Sequence, residues 1–351
     1  MHVKILDTTI SPNSPCYIVA ELSGNHNGDL SKAIEILHLA KEAGVDAVKL
    51  QTYKASTITL DSLSPDFTLP SDSPWALHKN LYALYDEAHT PWEWHKPLFD
   101  EAKRIGLTIF SSPFDSTAVD LLESLEAPAY KIASPEITDI PLIKRVAETG
   151  KPVILSTGVA ELHDIELAMT TLKENGCEQI ILLKCTSAYP TPFEEVNLRT
   201  LTDMQTRFNC LIGISDHTLG DAVPIASIAL GGKFIEKHIK LNDDYDSVDS
   251  FFSLTGKQFK ELVDNVRNIE KALGVASYEL TESSKKSLRG RRSLYYSKDI
   301  NKGEVFSLEN LKSVRPSMGL HPKFLFDMLG KKANKNLKFA TPASLDDVDD
   351  T

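Results

Sequence analysis

Eight short apolar segments recur along the chain, and their spacing constrains the fold more than any other feature. They span 17–22, 47–52, 107–112, 130–133, 153–157, 180–186, 211–215 and 234–239. Each segment is rich in Val, Ile and Leu, which is typical of parallel strands buried on both faces of a sheet. The regular repetition therefore predicts one large parallel sheet.

Helix-length amphipathic segments separate most of these strands. In residues 30–43 apolar side chains recur at helical spacing, and Gly44 follows as a helix stop. Similar segments span 115–125, 142–149, 164–175 and 221–229. Eight strand–helix units predict a closed (β/α)₈ TIM barrel. A doubly wound open sheet is the main alternative, but no G-x-G-x-x-G sequence opens a helix, which argues against its dinucleotide-binding form.

The length and a change in character near residue 280 predict two domains. A chain of 351 residues accommodates one barrel and a small appendage. We assign 1–280 to the barrel, the basic segment 281–292 to a solvated linker, and 293–351 to a compact β-rich domain. The acidic tail 346–350 is expected to fray.

Charge and cysteine content narrow the class of protein. The net charge of −11 argues against nucleic acid or an anionic membrane surface as a general partner. The four cysteines lack C-x-x-C spacing, and Cys16 and Cys185 lie in apolar runs, where a buried, reduced thiol is expected. The N-terminus lacks a signal-like apolar stretch, and no apolar run approaches the ~20 residues that span a bilayer. We therefore expect a soluble, cytoplasmic protein.

The connection over residues 54–104 is too long for a simple barrel loop. Its later part is rich in aromatic residues, including Trp75, Tyr85 and Trp92. Two interpretations remain open at this stage. The segment is either a lid over the mouth of the barrel or an aromatic patch that packs against the barrel or another subunit.

Polar residues gather at the ends of the predicted strands, where barrel enzymes place their chemistry. They comprise Glu21, Lys49, Gln51, Ser112, Lys131, Ser134, Glu136, Ser156, Ser187 and Ser215. A charged residue inside an apolar strand is costly unless it is paired or functional. Lys49 and Lys131 therefore predict a shared anion site, in which the nearby hydroxyl groups hydrogen-bond phosphate or carboxylate oxygens.

Two histidines, His217 and His238, follow the seventh strand and end the eighth. Adjacent strand ends can place two imidazoles on one metal ion. A histidine considered alone is more often a hydrogen-bonded or surface residue. The prediction of a metal site therefore depends on the equivalent positions of the two histidines at the ends of neighbouring strands. Two protein ligands would leave open positions, which suits a Lewis acid whose coordination shell is completed by substrate.

Several of these segments resemble the sialic acid synthases. The strongest match is residues 20–29, Ala-Glu-Leu-Ser-Gly-Asn-His-Asn-Gly-Asp, which is similar to the opening signature of that family. Further matches lie at 48–52, 130–136, 155–158, 189–192, 215–218, 236–238 and 249–250. Residues 297–304 and 314–316 resemble the family's type III antifreeze-like (SAF, or β-clip) domain, without implying ice binding. The resemblance covers nearly the whole chain.

The resemblance implies that phosphoenolpyruvate condenses with an amino-sugar aldehyde, assisted by Mn²⁺ or Mg²⁺ on His217 and His238. It implies catalytic roles for Glu21, Lys49 and Lys131. Glu21 is either the acid/base that serves the attacking water or a structural partner of Lys49. The substrate-binding residues that it implies are Gln51, Ser112, Ser134, Glu136, Ser156, Ser187, Tyr189, Ser215, Asp249 and Arg315. Arg315 would enter the partner's site in a domain-swapped homodimer.

Two features favour the pseudaminic acid synthases within this family, Glu-Leu-Ser at 21–23 and Gly-Leu-His-Pro-Lys at 319–323. The expected sugar is then 2,4-diacetamido-2,4,6-trideoxy-L-altrose. N-acetylneuraminate and legionaminate synthases are the near alternatives, although Ser187 stands where the neuraminate pattern usually has Asn. A non-catalytic sugar-binding protein conflicts with the intact charged residues. A metal-dependent pyruvate aldolase conflicts with Arg315 and with the Asn-His-Asn-Gly loop at 25–28.

Overall fold

The computed structural model describes residues 1–349 and divides into two units. The first spans Met1–Gly274, and the second begins at Val275. Residues 350 and 351, which end the predicted C-terminal domain and include the last residue of the acidic tail, lie outside the described residues.

Eight parallel strands of the first unit, among the residues described, close into a barrel. A hairpin of β1 (Val3–Ile5) and β2 (Thr8–Ile10) precedes them. The barrel strands are β3 (Tyr17–Glu21), β4 (Ala47–Thr52), β5 (Thr108–Pro113), β6 (Tyr130–Ile132), β7 (Val153–Ser156), β8 (Ile180–Cys185), β9 (Leu211–Asp216) and β10 (Phe234–Lys240). Each pairs with the next in sequence, and β10 also pairs with β3, which closes the sheet. A two-residue strand after the barrel, β11 (Leu254–Thr255), pairs with the end of β10. The predicted TIM barrel is confirmed, with strand bounds within one residue of those expected.

Helices follow the barrel strands as the apolar periodicity predicts. They are α1 (Leu30–Ala43), α2 (Ala55–Ile58), α3 (Leu81–Ala88), α4 (Trp92–Ile105), α5 (Ser116–Ser124), α6 (Ile140–Ala147), α7 (Leu162–Glu174), α8 (Thr200–Phe208), α9 (Ala222–Ala229) and α10 (Gly256–Leu273). Gly44 ends α1 with a left-handed backbone, at φ 83°. This conformation is one that glycine adopts without steric cost, so the predicted helix stop is confirmed. No helix within residues 1–349 is long and apolar enough to cross a membrane.

Along the barrel strands, successive side chains belong alternately to two different apolar clusters. In β3, Ile18 and Ala20 pack in the larger cluster with the surrounding helices, whereas Tyr17 and Val19 belong to a cluster inside the barrel. Successive side chains of a strand point to opposite faces, so the alternation continues to the strand end. Glu21 therefore follows the inward-facing set. The same alternation predicts that the polar residues at the ends of the other strands also face the interior.

The long connection between β4 and β5 is shorter than the sequence suggests. Its last part, Trp92–Ile105, is the regular helix of the second strand–helix unit, with Leu98 and Ala102 in the main core. The inserted portion is therefore residues 53–91, which contain α2 and α3. Here we call residues 53–91 the insertion.

The second unit has its own small core. Strands β12 (Ser293–Tyr296) and β13 (Leu311–Val314) pair antiparallel, and Leu294, Tyr296 and Phe306 are buried among neighbouring apolar residues. Helix α11 (Glu282–Lys286) lies in the exposed basic segment that was expected to be a linker, and α12 (Leu325–Met328) lies farther along.

The expectation of a frayed acidic tail is wrong for its described part. Asp347 is buried and accepts a hydrogen bond of 2.6 Å from the Tyr296 hydroxyl. Lys335 lies 2.7 Å from the other carboxylate oxygen. The acidic tail therefore contains a buried, paired carboxylate, and the pairing compensates the cost of burying its charge.

Gly213 provides a test of the barrel packing. A Cβ at this position would lie 2.2 Å from the Phe234 carbonyl oxygen, across the contact between β9 and β10. We expect Gly213→Ala to lower the free energy of unfolding by about 1–3 kcal/mol because the backbone must shift. Urea unfolding would measure the loss. Gly290→Ala is the matched control, since its added Cβ would meet no described atom within 4 Å apart from its local backbone and chain neighbours. An equal loss of stability there would contradict the packing argument.

Candidate active site

A cavity of about 550 Å³ lies at the carboxyl ends of the barrel strands. The predicted residues that line it are Lys49, Gln51, Lys131, Ser134, Glu136, Tyr189, Ser215, His217, His238 and Asp249. The fold therefore brings ten predicted site residues around one space. Glu21 and Ser112 reach this group through Lys49, because its Nζ lies 2.7 Å from Glu21 Oε2 and 3.2 Å from Ser112 Oγ.

Glu236 links the two buried lysines. Its Oε1 lies 3.1 Å from Lys131 Nζ and 3.6 Å from Lys49 Nζ, and it also accepts a hydrogen bond of 3.0 Å from Ser215 Oγ. Together with Glu21, these residues form a buried cluster of two ammonium groups and two carboxylates, which we call the charge cluster. Lys49 and Lys131 therefore share one anionic side chain of the protein, while the predicted site for a substrate anion stays a prediction.

The members of the charge cluster differ in protonation. Burial opposes the charge on Glu236, but Lys131 and Lys49 outweigh it and lower its pKa to about 2. Burial raises the pKa of Glu21 despite the nearby Lys49. Burial also lowers the pKa of Lys131, whereas the two carboxylates outweigh burial at Lys49 and raise its pKa. Of the two carboxyl groups, Glu236 therefore stays charged, and Glu21 is the one that more readily holds a proton.

Hydroxyl groups surround the ends of the neighbouring strands. Ser134 Oγ accepts a hydrogen bond of 2.9 Å from the Gly158 backbone nitrogen. A Cβ at Gly158 would lie 2.3 Å from Ser187 Oγ and 2.7 Å from Ser134 Oγ, so only glycine lets these hydroxyls approach the backbone. Ser156 Oγ is buried and has no hydrogen-bond partner among residues 1–349. A buried donor without a partner is costly, which suits a position that hydrogen-bonds a ligand.

The two predicted metal-binding histidines lie side by side. The ring centroids of His217 and His238 are 5.3 Å apart, and both rings line the cavity. Thr186 O lies 3.3 Å from His217 Nδ1, and Ser23 Oγ lies 3.2 Å from His238 Nδ1, which leaves the Nε2 atom of each ring as a possible ligand. Burial lowers the pKa of His238 well below its usual range, so this ring is neutral. A neutral imidazole is the form that binds metal ions.

Cys185 is a free, buried thiol, as expected, and it also lines the cavity. Its Sγ lies 3.8 Å from His217 Nδ1. Burial alone would raise the pKa of the thiol, but His217 lowers it to about 7. Leu183 belongs to the cluster inside the barrel, and Cys185 follows it by two positions. The strand period therefore turns Cys185 inward. Cys16 is a core residue, as expected.

The other predicted residues of the cavity lining are Gln51, Glu136, Tyr189 and Asp249. Glu136 is mostly buried, and burial raises its pKa to about 7. The Tyr189 ring lies 4.6 Å from the His217 ring, and Asp249 Oδ2 lies 4.0 Å from His238 Nδ1. Gln51 Nε2 donates a hydrogen bond of 3.0 Å to Glu21 Oε1. These polar groups can hydrogen-bond hydroxyl or amide groups of a ligand.

Arg315 belongs to the second unit, at the end of β13. It lines a groove of about 480 Å³ within that unit, together with Tyr295, Lys312 and Phe339. Its predicted role in a partner's site stays a prediction.

The sequence profile of the NeuB family matches residues 36–278, and that of the SAF domain matches residues 291–349. The chain belongs to the NeuB family. The predicted resemblance to the sialic acid synthases is thereby confirmed, as is the antifreeze-like C-terminal domain.

Named relatives lie at different distances within the family. A pseudaminic acid synthase of Campylobacter jejuni subsp. jejuni serotype O:23/36 is 45% identical over 92% of this chain and 94% of its own length. An N,N'-diacetyllegionaminic acid synthase of the same species (serotype O:2) is 38% identical over 92% of this chain and 96% of its own length. A solved N-acetylneuraminic acid synthetase of Leptospira borgpetersenii has a TM-score of 0.72 and 27% identity, covering 82% of this chain and 95% of that one.

Sequence reasoning missed Glu236 as the partner of both lysines, as well as Cys185. The signal for Glu236 was available, since it lies two positions before His238 on an apolar strand and so shares its face. The sequence could not show that Glu236 contacts Lys131 across the barrel. Glu236 and Lys131 lie 105 positions apart and on strands that are not neighbours.

Glu236→Gln would remove the permanent anion between the two buried lysines. We expect it to lower the free energy of unfolding by about 3 kcal/mol or more because an unpaired buried charge remains. Glu136→Gln is the matched control, because Glu136 lines the same cavity and is already partly protonated near neutral pH. Urea unfolding at pH 7 would compare the two variants. Equal stabilities would show that Glu236 does not hold the charge cluster together.

Proposed function

We propose that this chain condenses phosphoenolpyruvate with 2,4-diacetamido-2,4,6-trideoxy-L-altrose and water to give pseudaminic acid and phosphate. The proposal rests on sequence identity over nearly the whole chain, which is higher to the pseudaminic acid synthase than to the legionaminic acid synthase. The chain is then a C–C bond-forming transferase of a phosphoenolpyruvate-dependent family. Synthesis of legionaminic or N-acetylneuraminic acid is the second candidate, since those relatives share the fold.

Phosphoenolpyruvate occupies the inner part of the cavity in this proposal. Lys49 and Lys131 supply charge for its phosphate and carboxylate, and Ser134, Ser156 and Ser215 supply hydroxyl donors. The unpartnered Ser156 Oγ supports this placement. Charge-assisted hydrogen bonds in a site that excludes water are stronger than in bulk solvent. Ser112 and Ser187 complete the donors around the same groups.

The condensation balances as follows. C3 of phosphoenolpyruvate attacks the aldehyde carbon of the open-chain sugar, which forms the new C–C bond and leaves positive charge at C2. The aldehyde oxygen takes up a proton and becomes a hydroxyl group. Water adds to C2, and the C2–O bond to phosphate breaks, so the oxygen of the water becomes the ketone oxygen of the product. Both carbon atoms must be held within bonding reach, which the shared cavity provides.

Glu21 has two candidate roles in this reaction. Its 2.7 Å contact with Lys49 favours the structural interpretation, in which it holds that ammonium group towards the phosphate. Its raised pKa also permits proton exchange with water near C2. We assign Glu21 as a positioning residue for Lys49, with Gln51 fixing its other oxygen.

His217 and His238 fit a divalent ion, which we propose to be Mn²⁺ or Mg²⁺. No group of three or more His, Cys, Asp or Glu side chains within residues 1–349 is arranged to hold a metal. The two buried imidazoles would therefore share the ion with substrate or water. A bound ion would polarise the sugar aldehyde as a Lewis acid. The protein contributes two oriented rings, each fixed by an oxygen at Nδ1.

The sugar lies on the outer side of the cavity in this proposal, near Gln51, Glu136, Tyr189 and Asp249. We further propose that the chain forms a homodimer in which the partner's Arg315 completes this side. An arginine suits this side because its planar guanidinium group can donate several hydrogen bonds to hydroxyl or carbonyl oxygens of the sugar.

Phosphate release from phosphoenolpyruvate tests the substrate assignment. The assay contains Mn²⁺ and compares the diacetamido-trideoxy-altrose with N-acetylmannosamine and the legionaminate precursor. We expect release with the altrose at a kcat/KM about 100-fold or more above that with the other two sugars. Preferred use of another sugar would keep the family chemistry and overturn the substrate. No release with any of them would overturn the proposed function.

Metal binding by the histidine pair can be measured without turnover. We expect His217→Ala and His238→Ala each to weaken Mn²⁺ binding by about 100-fold or more in isothermal titration calorimetry, since each removes a ligand. His163→Ala is the control, because His163 is an exposed histidine in helix α7. Unchanged Mn²⁺ affinity in both site variants would refute the assignment.

A further inference from the structure

The two sides of the cavity differ in chemistry. The barrel side carries the charge cluster, both histidines and the serine hydroxyls. Another part of the lining belongs to the insertion, which contributes eight residues after Tyr53: Ile58, Leu69, Ser73, Trp75, Leu81, Leu84, Tyr85 and Ala88. Six of these eight side chains are hydrocarbon or indole. We call them, with the two polar members, the insertion wall.

The insertion wall presents apolar surface to the cavity. Ile58, Leu69 and Leu81 are only partly buried, although each lines the cavity. Exposed apolar area is stabilised when a ligand covers it, at a gain proportional to the area. A purely structural cover for the barrel would bury these side chains against it instead. The geometry thus favours contact with an apolar part of a ligand.

Hydrogen bonds hold the insertion wall in place. Trp75 Nε1 donates a bond of 2.8 Å to the Val248 carbonyl oxygen, which ties the insertion to the loop after β10. The Trp75 ring also lies 5.7 Å from the Tyr189 ring. Buried Asn80 caps α3 through Ala83 N and donates to Asp61 Oδ1 and Ser62 O. A wall fixed before binding loses little entropy when the ligand arrives.

We infer that the insertion wall determines specificity by packing on the methyl groups of the sugar, chiefly the C6 methyl of a 6-deoxy sugar. The inference rests on the proposed function, whose substrate carries one C6 methyl and two acetamido methyl groups. With phosphoenolpyruvate held at the lysines, the sugar is left with the rest of the cavity lining, to which the insertion wall contributes eight residues. A 6-hydroxy sugar would place a hydroxyl group against hydrocarbon, where it loses its hydrogen bonds to water.

The test compares the 6-deoxy sugar with its 6-hydroxy counterpart, 2,4-diacetamido-2,4-dideoxy-L-altrose. Wild-type protein is expected to favour the 6-deoxy sugar by roughly tenfold or more in kcat/KM. Leu69→Asn keeps the size of the side chain and makes it polar. We expect this variant to raise the KM for the 6-deoxy sugar by about tenfold and to bring the preference near parity. The KM for phosphoenolpyruvate should not change, because the barrel side is intact.

Leu77→Asn is the matched control, since Leu77 lies in the same insertion but is fully exposed and outside the described cavity lining. It should leave both KM values and the preference unchanged. Ile58→Asn provides a second variant, in case Leu69→Asn lowers the melting temperature.

The outcomes separate the two proposals. Turnover of the 6-deoxy sugar with an unchanged preference in both Leu69→Asn and Ile58→Asn would overturn the role of the insertion wall and leave the proposed function standing. A wild-type protein that uses neither altrose derivative would overturn the substrate, and the inference with it. A preference lost equally in Leu77→Asn would assign the effect to the fold of the insertion rather than to contact, and would also overturn the inference.

Discussion

The closed barrel buries two ammonium groups at its carboxyl end, and the chemistry of the site depends on how they are balanced. Lys49 and Lys131 each need an anion within ion-pair distance, because an isolated buried charge is too costly to keep. Glu236 supplies that anion to both, and Glu21 supplies a second one to Lys49. The arrangement keeps positive charge oriented at the bottom of the cavity before any ligand enters, so little reorganisation is needed when an anionic substrate binds.

The alternation of side chains along each strand connects this charge cluster to the rest of the fold. In β10, Phe234 fills the barrel interior, and Glu236 and His238 follow it on the same face. The same period of two places Lys49 after Ala47, which also belongs to the interior cluster. The apolar residues that stabilise the barrel therefore fix the direction of the reactive ones. Each strand thus has apolar residues that stabilise the barrel, followed by polar residues at its carboxyl end that line the cavity.

The insertion adds what a bare barrel lacks, a second side to the cavity. Its ties to the rest of the unit are few but specific, and the Trp75 contact with Val248 is one of them. The division between a charged inner side and an apolar outer side matches the two substrates of the proposed reaction, one anionic and one a neutral, methylated sugar. Variation in such a segment can alter the sugar without disturbing the strands that hold the anion.

The sequence by itself determined the barrel, its strand bounds and ten of the residues that line the cavity. Apolar periodicity and polar strand ends are local patterns. They can be recognised in the sequence because the two faces of a strand alternate with a fixed period. Only the tertiary structure decided which charges meet. Glu236 reaches Lys131 across the barrel, and the buried Cys185 contacts His217. It also decided that α4 belongs to the barrel and that the insertion forms a wall, because distances between residues far apart in sequence are fixed by closure of the sheet.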